Sequence, residues 1–156
     1  MLTFITVNNN PSYLPQVREL ILQYQTALGV DLCFQNIVDE LKNLLAKYAK
    51  PKGIIYLAMY NNTPVGCIAM QPINNNTVEM KRLYVIPTHR HLGIGKQLVQ
   101  LLIAQAIKVG YTTMVLDTLH SLQAAITLYN KLGFVTTTAY YPNPLQGVVY
   151  MKRVLV

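Results

Sequence analysis

Cysteines and charged side chains are both scarce in this sequence. It contains two cysteines, Cys33 and Cys67, and no cysteine or histidine stands at metal-ligand spacing from either one. We therefore predict reduced, mostly buried thiols and no metal site. Charged residues make up 12% of the chain and apolar residues 52%. Because such a chain can bury a large apolar surface, intrinsic disorder is not expected.

Long hydrophobic runs are also missing. The longest uninterrupted apolar run, Ile54 to Tyr60, falls far short of the roughly 20 apolar residues that a membrane-spanning helix needs. Residues 1–8 show neither the basic segment nor the long apolar segment of a secretory signal peptide. From these absences we expect a cytoplasmic protein without a membrane partner.

Acidic residues are outnumbered by basic ones. The chain has 6 Asp plus Glu against 13 Lys plus Arg, which gives a net charge of +7 at pH 7. Such a charge attracts nucleic acid, and it equally attracts the phosphates of a nucleotide cofactor. Because the basic residues are scattered, apart from a cluster in segment 47–52, we predict no nucleic-acid partner.

The apolar pattern predicts the elements of the first half of the chain. The length suits one domain, predicted to span residues 1–156. A strand is predicted at residues 2–7, followed by a helix that ends at Gly29 and a second helix at residues 37–45. Three antiparallel strands in a meander come next, the first at residues 54–60.

The second half alternates helices and strands. After a long helix, a strand is predicted at residues 112–117, and Ser121 is predicted to cap the helix that follows it. Two final strands are predicted at residues 134–139 and 148–154. The segment between them, 140–147, is too rich in tyrosine and proline for a plain turn.

The stretch around which the chain is organised runs from Glu79 to Val109. It begins with β-favouring residues, continues through Pro87 and two glycines, Gly93 and Gly95, and ends with apolar residues at every third or fourth position. This pattern predicts a strand, a tight loop and a helix.

The predicted loop is suited to bind a phosphate. Gly93 and Gly95 permit backbone conformations that a side chain would oppose, and they let a ligand approach the main chain closely. The first amides of the following helix have no intrahelical acceptor and lie at the positive end of the helix dipole. Arg90 and Lys96 add positive charge on either side, and His91 adds a potential donor.

Two common phosphate-binding loops do not fit. A P-loop requires a hydroxyl residue after the glycine-lysine pair, where this chain has Gln97, and a first glycine where it has Arg90. A dinucleotide fingerprint requires a third glycine or alanine at the position of Leu98.

The loop instead resembles the acetyl-coenzyme A signature of the GNAT family of N-acetyltransferases. Arg90-His91-Leu92-Gly93-Ile94-Gly95 matches its Arg-x-x-Gly-x-Gly pattern. Leu83-Tyr84-Val85 and Pro87 precede the loop as in the family. Downstream, Leu128-Tyr129-x-x-x-Gly133-Phe134 resembles the second hallmark of the family. The resemblance covers almost the whole chain.

This resemblance implies an α/β fold: a mixed, mostly antiparallel sheet of about seven strands, splayed at its central strands, with helices on both faces. It implies acetyl-CoA as cosubstrate, no metal, and direct attack by an amine in a ternary complex. In the family an asparagine often stands seven residues before the tyrosine, where this chain has Leu122; its role in binding pantetheine must pass to the backbone or to Thr118. The residues that the resemblance assigns to acetyl-CoA are Leu83, Tyr84, Val85, Arg90, His91, Leu92, Gly93, Ile94, Gly95, Lys96 and Thr118.

Two residues are candidates for proton transfer. The resemblance places the phenol of Tyr129 near the thioester sulfur as general acid, and a phenol is protonated at neutral pH; the alternative is that Tyr129 only packs or binds the cosubstrate. Glu79 matches a glutamate that acts as base in some family members. The alternative for Glu79 is an ion pair with Lys81, Arg82 or another cation.

Three residues are candidates for contact with the acceptor. Asp117 lies at the carboxyl end of its predicted strand, where open α/β sheets bind ligands. Three roles are open for it: holding an ammonium group, orienting pantetheine through Thr118, or capping the next helix. Tyr24 and Phe34 lie in the region that walls the acceptor side in similar proteins, and core packing is the alternative for each.

The acceptor itself is not fixed by the sequence. A small amine or amino-acid-like molecule is the first expectation, because the predicted domain stands alone without a recruitment module. A protein N-terminus or lysine side chain is the second, and an acetyl-CoA-binding module without turnover is the third. Homodimers are common among similar sequences, so a homodimer is also an open expectation.

Overall fold

The structure, a computed structural model, describes residues 1–29 and 36–155. The α-helices within these residues are α1 (Leu14–Leu28), α2 (Ile37–Lys42), α3 (Leu44–Lys47), α4 (Ile94–Val109) and α5 (Gln123–Lys131). The strands are β1 (Leu2–Thr6), β2 (Ile54–Tyr60), β3 (Thr63–Pro72), β4 (Thr77–Val85), β5 (Thr113–Leu119), β6 (Val135–Thr137) and β7 (Val148–Val154).

The strands form one seven-stranded sheet in the order β1-β2-β3-β4-β5-β7-β6. All neighbours are antiparallel except β4 and β5, which are parallel. The predicted mixed, mostly antiparallel sheet of about seven strands is therefore confirmed. The predicted meander corresponds to β2, β3 and β4.

Two hydrophobic cores lie on opposite faces of the sheet, because successive strand residues point to opposite sides. On β2, Tyr56 joins the core under α4 and α5, while Ile55 and Leu57 join the core under α1, α2 and α3. Helices on both faces are thus confirmed. Gly29 ends α1 in the left-handed conformation with φ 65°, as the sequence predicts.

Three predicted element boundaries are wrong. The predicted helix at 37–45 is two helices, because Asn43 leaves the helical conformation (φ −133°, ψ 44°) and its amide group competes for the helix backbone. Ser121 does not cap α5, which begins at Gln123 after a turn from Leu119 to Leu122. The strand predicted at 134–139 is limited to Val135–Thr137, because only these residues pair with β7.

The sheet splits between its two parallel strands. β4 pairs with β5 only from Thr77 to Glu79, so their carboxyl-terminal halves separate. A bulge interrupts the pairing of β4 with β3: Cys67 faces Tyr84 and Ala69 faces Lys81, which leaves two β4 residues opposite one of β3. The predicted splay at the central strands is confirmed.

Candidate active site

A cleft of about 780 Å³ opens where β4 and β5 separate. One side is the end of β4 and the following loop, and the other side is the end of β5 with α5. Residues of α1 and of the segment between β6 and β7 complete the lining. The cleft therefore joins the predicted phosphate loop to the predicted acceptor region.

The loop between β4 and α4 has the geometry of an anion site. Gly93 adopts φ 75° and is the residue before α4, while His91 adopts φ 72°. Left-handed residues interspersed with right-handed ones turn successive amides toward a common point. Gly95 opens the first turn, where the amides have no intrahelical acceptor.

Most residues assigned to acetyl-CoA line this cleft. Arg90 donates from Nε to the Val85 carbonyl at 2.9 Å, and its guanidinium stands 5.7 Å from the centre of the Tyr84 ring. Leu92 is the exception, since it is 52% exposed and does not line the cleft. The predicted residues that do line it are Leu83, Tyr84, Val85, Arg90, His91, Gly93, Ile94, Gly95, Lys96 and Thr118.

Tyr129 lies on α5 and lines the cleft. Its ring contacts Phe134 edge to face, with the centroids 5.8 Å apart. Burial, with smaller effects of Tyr24 and Asp117, raises the pKa of Tyr129 above its ordinary value. The phenol therefore keeps its proton throughout the neutral and moderately alkaline range.

Glu79 does not line the cleft, where a base in contact with the amine would lie. It is 3% exposed and is not among the described residues that line the cleft. Its Oε1 accepts from Gln71 at 2.8 Å and its Oε2 accepts from the Tyr140 hydroxyl at 2.5 Å. Burial and the charge of Glu79 raise the pKa of Tyr140, so Tyr140 is the donor in this pair.

Asp117 is the carboxylate of the cleft lining among the described residues. Its Oδ2 accepts hydrogen bonds from the Tyr141 hydroxyl and, at 2.7 Å, from the Asn143 side chain. It lies two residues before the end of β5, which continues to Leu119 beyond the predicted end at residue 117. Its bonds make it part of a network with the segment that follows β6.

The segment 138–147, which we call the strap, crosses from one separated strand to the other. Tyr140 bonds to Glu79 on β4, whereas Tyr141 and Asn143 bond to Asp117 on β5. Asn143 also receives support from Tyr150, whose hydroxyl accepts from the Asn143 backbone at 3.1 Å. The tyrosine-rich composition marked the strap as unusual, but its partners depend on the tertiary fold.

Lys81 and Arg82, which the sequence suggested as partners for Glu79, both line the cleft. Arg82 makes its ion pair with Glu40 on α2. Burial and the neighbouring Arg82 charge lower the pKa of Lys81. Glu40 was not identified from the sequence. Its spacing from the apolar Ile37 and Leu44 could have indicated an acidic side chain on a buried helix face.

The remaining acceptor candidates have separate outcomes. Tyr24 lines the cleft and contacts Tyr84 edge to face, with the ring centroids 6.0 Å apart. Phe34 lies outside the described residues, so its role stays a prediction.

The described residues contain no cluster of His, Cys, Asp and Glu that would hold a metal ion. Within the same part of the chain, no helix is long and apolar enough to span a membrane.

Comparison with known proteins links this cleft to one family. The model of the Acetyltransferase (GNAT) family matches residues 15–134. An N-acetyltransferase of Schizosaccharomyces pombe, itself named as uncharacterized, is 44% identical over 144 residues, which cover 91% of this chain and 88% of that protein.

Two solved structures are also similar. A GNAT-family acetyltransferase of Staphylococcus aureus superposes with a TM-score of 0.83 at 25% identity, and the match covers 100% of both chains. A GNAT-family acetyltransferase of Elizabethkingia anophelis, solved with acetyl-CoA bound, has a TM-score of 0.60 at 30% identity. That match covers 73% of this chain and 83% of the other.

Proposed function

Because the chain belongs to the GNAT acetyltransferase family, we propose that it transfers the acetyl group of acetyl-CoA to a small primary amine by direct attack in a ternary complex. The observation that carries this proposal is the cleft between β4 and β5, which connects the anion-binding loop, the Tyr129 phenol and the Asp117 carboxylate. An amine acetyltransferase needs these three features in this order: a cosubstrate anchor, an acid and an ammonium site.

The residues present fit acetyl-CoA. The left-handed Gly93, the free amides at the start of α4 and the basic side chains of Arg90 and Lys96 suit a pyrophosphate. Apolar side chains of Leu83, Val85 and Leu128 line the middle of the cleft and suit the pantetheine arm. When bound, acetyl-CoA supplies the acetyl group as an activated thioester.

The chain's own residues would then bind acetyl-CoA, orient its thioester and protonate the leaving thiolate. The bulged end of β4 presents backbone amides to the cleft, and preorganised donors of this kind contribute a few kcal/mol when they meet developing negative charge. The Tyr129 hydroxyl holds a proton that it can give to a leaving thiolate, and its raised pKa keeps that proton in place before reaction.

At the acceptor end, we assign the ammonium group to Asp117, because this carboxylate lines the cleft. Glu79 remains the predicted base and, since it does not line the cleft, it would take the proton of the amine through water. A Glu79→Gln variant with an unchanged rate and an unchanged pH profile would remove Glu79 from the mechanism.

The test is release of free thiol from acetyl-CoA in the presence of a panel of acceptors. The panel contains polyamines, amino acids and their amides, and short peptides with free N-termini or lysines. We expect the highest kcat/KM with a small amine. Preference for peptides would favour protein acetylation, while tight binding of acetyl-CoA without thiol release on any acceptor would favour a binding module and contradict the proposal.

A further inference from the structure

A buried ion pair joins α2 to the β4 side of the cleft. Arg82 donates to Glu40 through two bonds of 2.8 Å, from Nε to Oε2 and from Nη2 to Oε1. Lys47 donates to Glu40 Oε1 at 2.9 Å from its more exposed position. Glu40 is 3% exposed and Arg82 is 6% exposed, so the paired groups are shielded from water.

The backbone of Arg82 forms part of the bulge in β4. Arg82 and Leu83 lie opposite the single β3 residue Ile68, and Arg82 adopts φ 61°. A left-handed conformation is unfavourable for an arginine, and it persists only where surrounding contacts hold it. Cys67 adds one such contact, because its Sγ donates to the Arg82 carbonyl at 3.3 Å.

The bulge belongs to the cleft, whereas Glu40 does not. The β4 residues from Arg82 to Val85 line the cleft, and Glu40 is absent from its described lining. A change at Glu40 therefore reaches a bound cosubstrate through Arg82. This separation makes it possible to test a positioning role without removing a group that contacts the ligand.

The pair supplies orientation more than net stability. Buried ion pairs often contribute no more stability than well-packed apolar residues in their place. A bidentate arginine and carboxylate, however, fix each other in two directions because both groups are planar. Such a pair at a strained backbone position constrains the direction in which the neighbouring amides point.

We propose that Glu40 is a positioning residue for acetyl transfer: its bidentate bond to Arg82 holds the left-handed bulge and so aims the β4 amides at the thioester oxygen. This inference rests on the proposed use of acetyl-CoA in this cleft. It adds a residue on α2, outside the cleft, to the machinery that polarises the thioester.

The experiment compares Glu40→Gln with Asp39→Asn, an exposed carboxylate that precedes Glu40 on the same helix. Isotope-edited infrared spectroscopy measures the carbonyl band of bound acetyl-CoA carrying ¹³C at the thioester. Calorimetry measures the Kd of coenzyme A, and initial rates give kcat and KM with the best amine. In the wild type, hydrogen bonds from the bulge should shift the carbonyl band to lower frequency than in water.

In Glu40→Gln we expect the band to return toward its value in water and kcat to fall about 10-fold to 100-fold, since a misplaced donor costs roughly this much. The Kd of coenzyme A should stay within about twofold, because the pyrophosphate loop is untouched. Asp39→Asn should match the wild type throughout. An unshifted band in the wild type, or a wild-type band and kcat in Glu40→Gln, would overturn the proposal.

If Glu40→Gln does not fold, Glu40→Asp takes its place, because it keeps the charge beside Arg82 and Lys47 while its shorter side chain cannot keep the bidentate geometry. It should fold and still lose the band shift; retention of the shift would overturn the proposal. The band does not depend on an acceptor. A wild type with a shifted band but no turnover on any amine would contradict the proposed function and leave the positioning role intact.

Discussion

Tyr129 is the residue whose protonation state matters most for the proposed chemistry. Burial raises the pKa of Tyr129, so the wild-type kcat should show no loss of this proton up to about pH 10. We predict that Tyr129→Phe lowers kcat about 100-fold or more, the range typical of a lost general acid. The measurement is kcat against pH for both proteins.

A matched control for that change is Tyr13→Phe, which removes a phenol that is outside the cleft. It should keep the wild-type rate. The general-acid role is lost if Tyr129→Phe retains full kcat over the whole pH range, and Tyr129 would then only pack or bind the cosubstrate.

Glu40 should make the stability of the protein sensitive to acid. Burial alone would raise its pKa, but the hydrogen bonds and charges of Arg82 and Lys47 outweigh burial and lower the pKa from 4.5 to about 2. A lowered folded-state pKa gives stability that is present above the unfolded value and is lost as pH falls from about 4.5 to about 2. Relative to a protonated Glu40, this pH-dependent part of the stability is about 3 kcal/mol at neutral pH; it is not the net stability that the ion pair adds over apolar residues.

We therefore predict that the free energy of unfolding falls less between pH 6 and pH 3 in Glu40→Gln than in the wild type. Urea unfolding at several pH values measures this difference. Asp39→Asn, which changes an exposed carboxylate, should keep the wild-type slope. Identical slopes in the wild type and Glu40→Gln would contradict the assigned ion pair.

At the scale of elements, the strap is the feature that sets the acceptor end of the cleft. Tyr141 and Asn143 hold Asp117, and Tyr140 holds Glu79, so one loop bonds to both separated strands. Asp117 and the phosphate loop belong to different strands, since Asp117 lies on β5 and the loop follows β4. Changes in the strap should therefore affect the amine more than acetyl-CoA.

We predict that Asn143→Ala raises the KM for the amine several-fold, because Asp117 loses a hydrogen bond that orients it. The Kd of coenzyme A should not change. Lys96→Ala is the reciprocal control, since it should weaken coenzyme A and spare the KM of the amine. If both variants weakened the amine and coenzyme A equally, the two ligands would not have separate binding residues as proposed.

Sequence patterns were sufficient to predict some helices and strands but not others. The 79–109 stretch forms the predicted strand, loop and helix, because apolar spacing and the left-handed Gly93 act within a few residues. The break at Asn43 and the short β6 were missed. Both depend on competition between local preference and packing, which a periodic pattern does not record.

For the molecule as a whole, binding of the cosubstrate should stabilise a sheet that is split at its centre. Coenzyme A at about 100 times its Kd should add about 2.7 kcal/mol to the free energy of unfolding. For a chain of this size that corresponds to a rise in Tm of roughly 5 to 10 °C. Thermal unfolding with and without coenzyme A measures the shift.

Gly93→Val is the test of where this stabilisation arises. A valine at φ 75° is strained although no heavy atom other than Gln97 Nε2 lies within 4.0 Å of its Cβ position. We expect the variant to fold but to lose the shift with coenzyme A. An unaltered shift would place the nucleotide elsewhere and contradict the loop assignment.

The sequence by itself determined the fold class, the strand, loop and helix of residues 79–109, and the choice of Tyr129 and Asp117, which line the cleft, because these follow from short-range patterns and a family motif. Only the tertiary structure decided the partners of the buried charges. Arg82 pairs with Glu40 across 42 positions, and Glu79 pairs with Tyr140 across 61. Such pairings depend on which elements pack together, because the 13 Lys plus Arg and 11 Tyr of the sequence offer each of its 6 Asp and Glu several chemically equivalent partners.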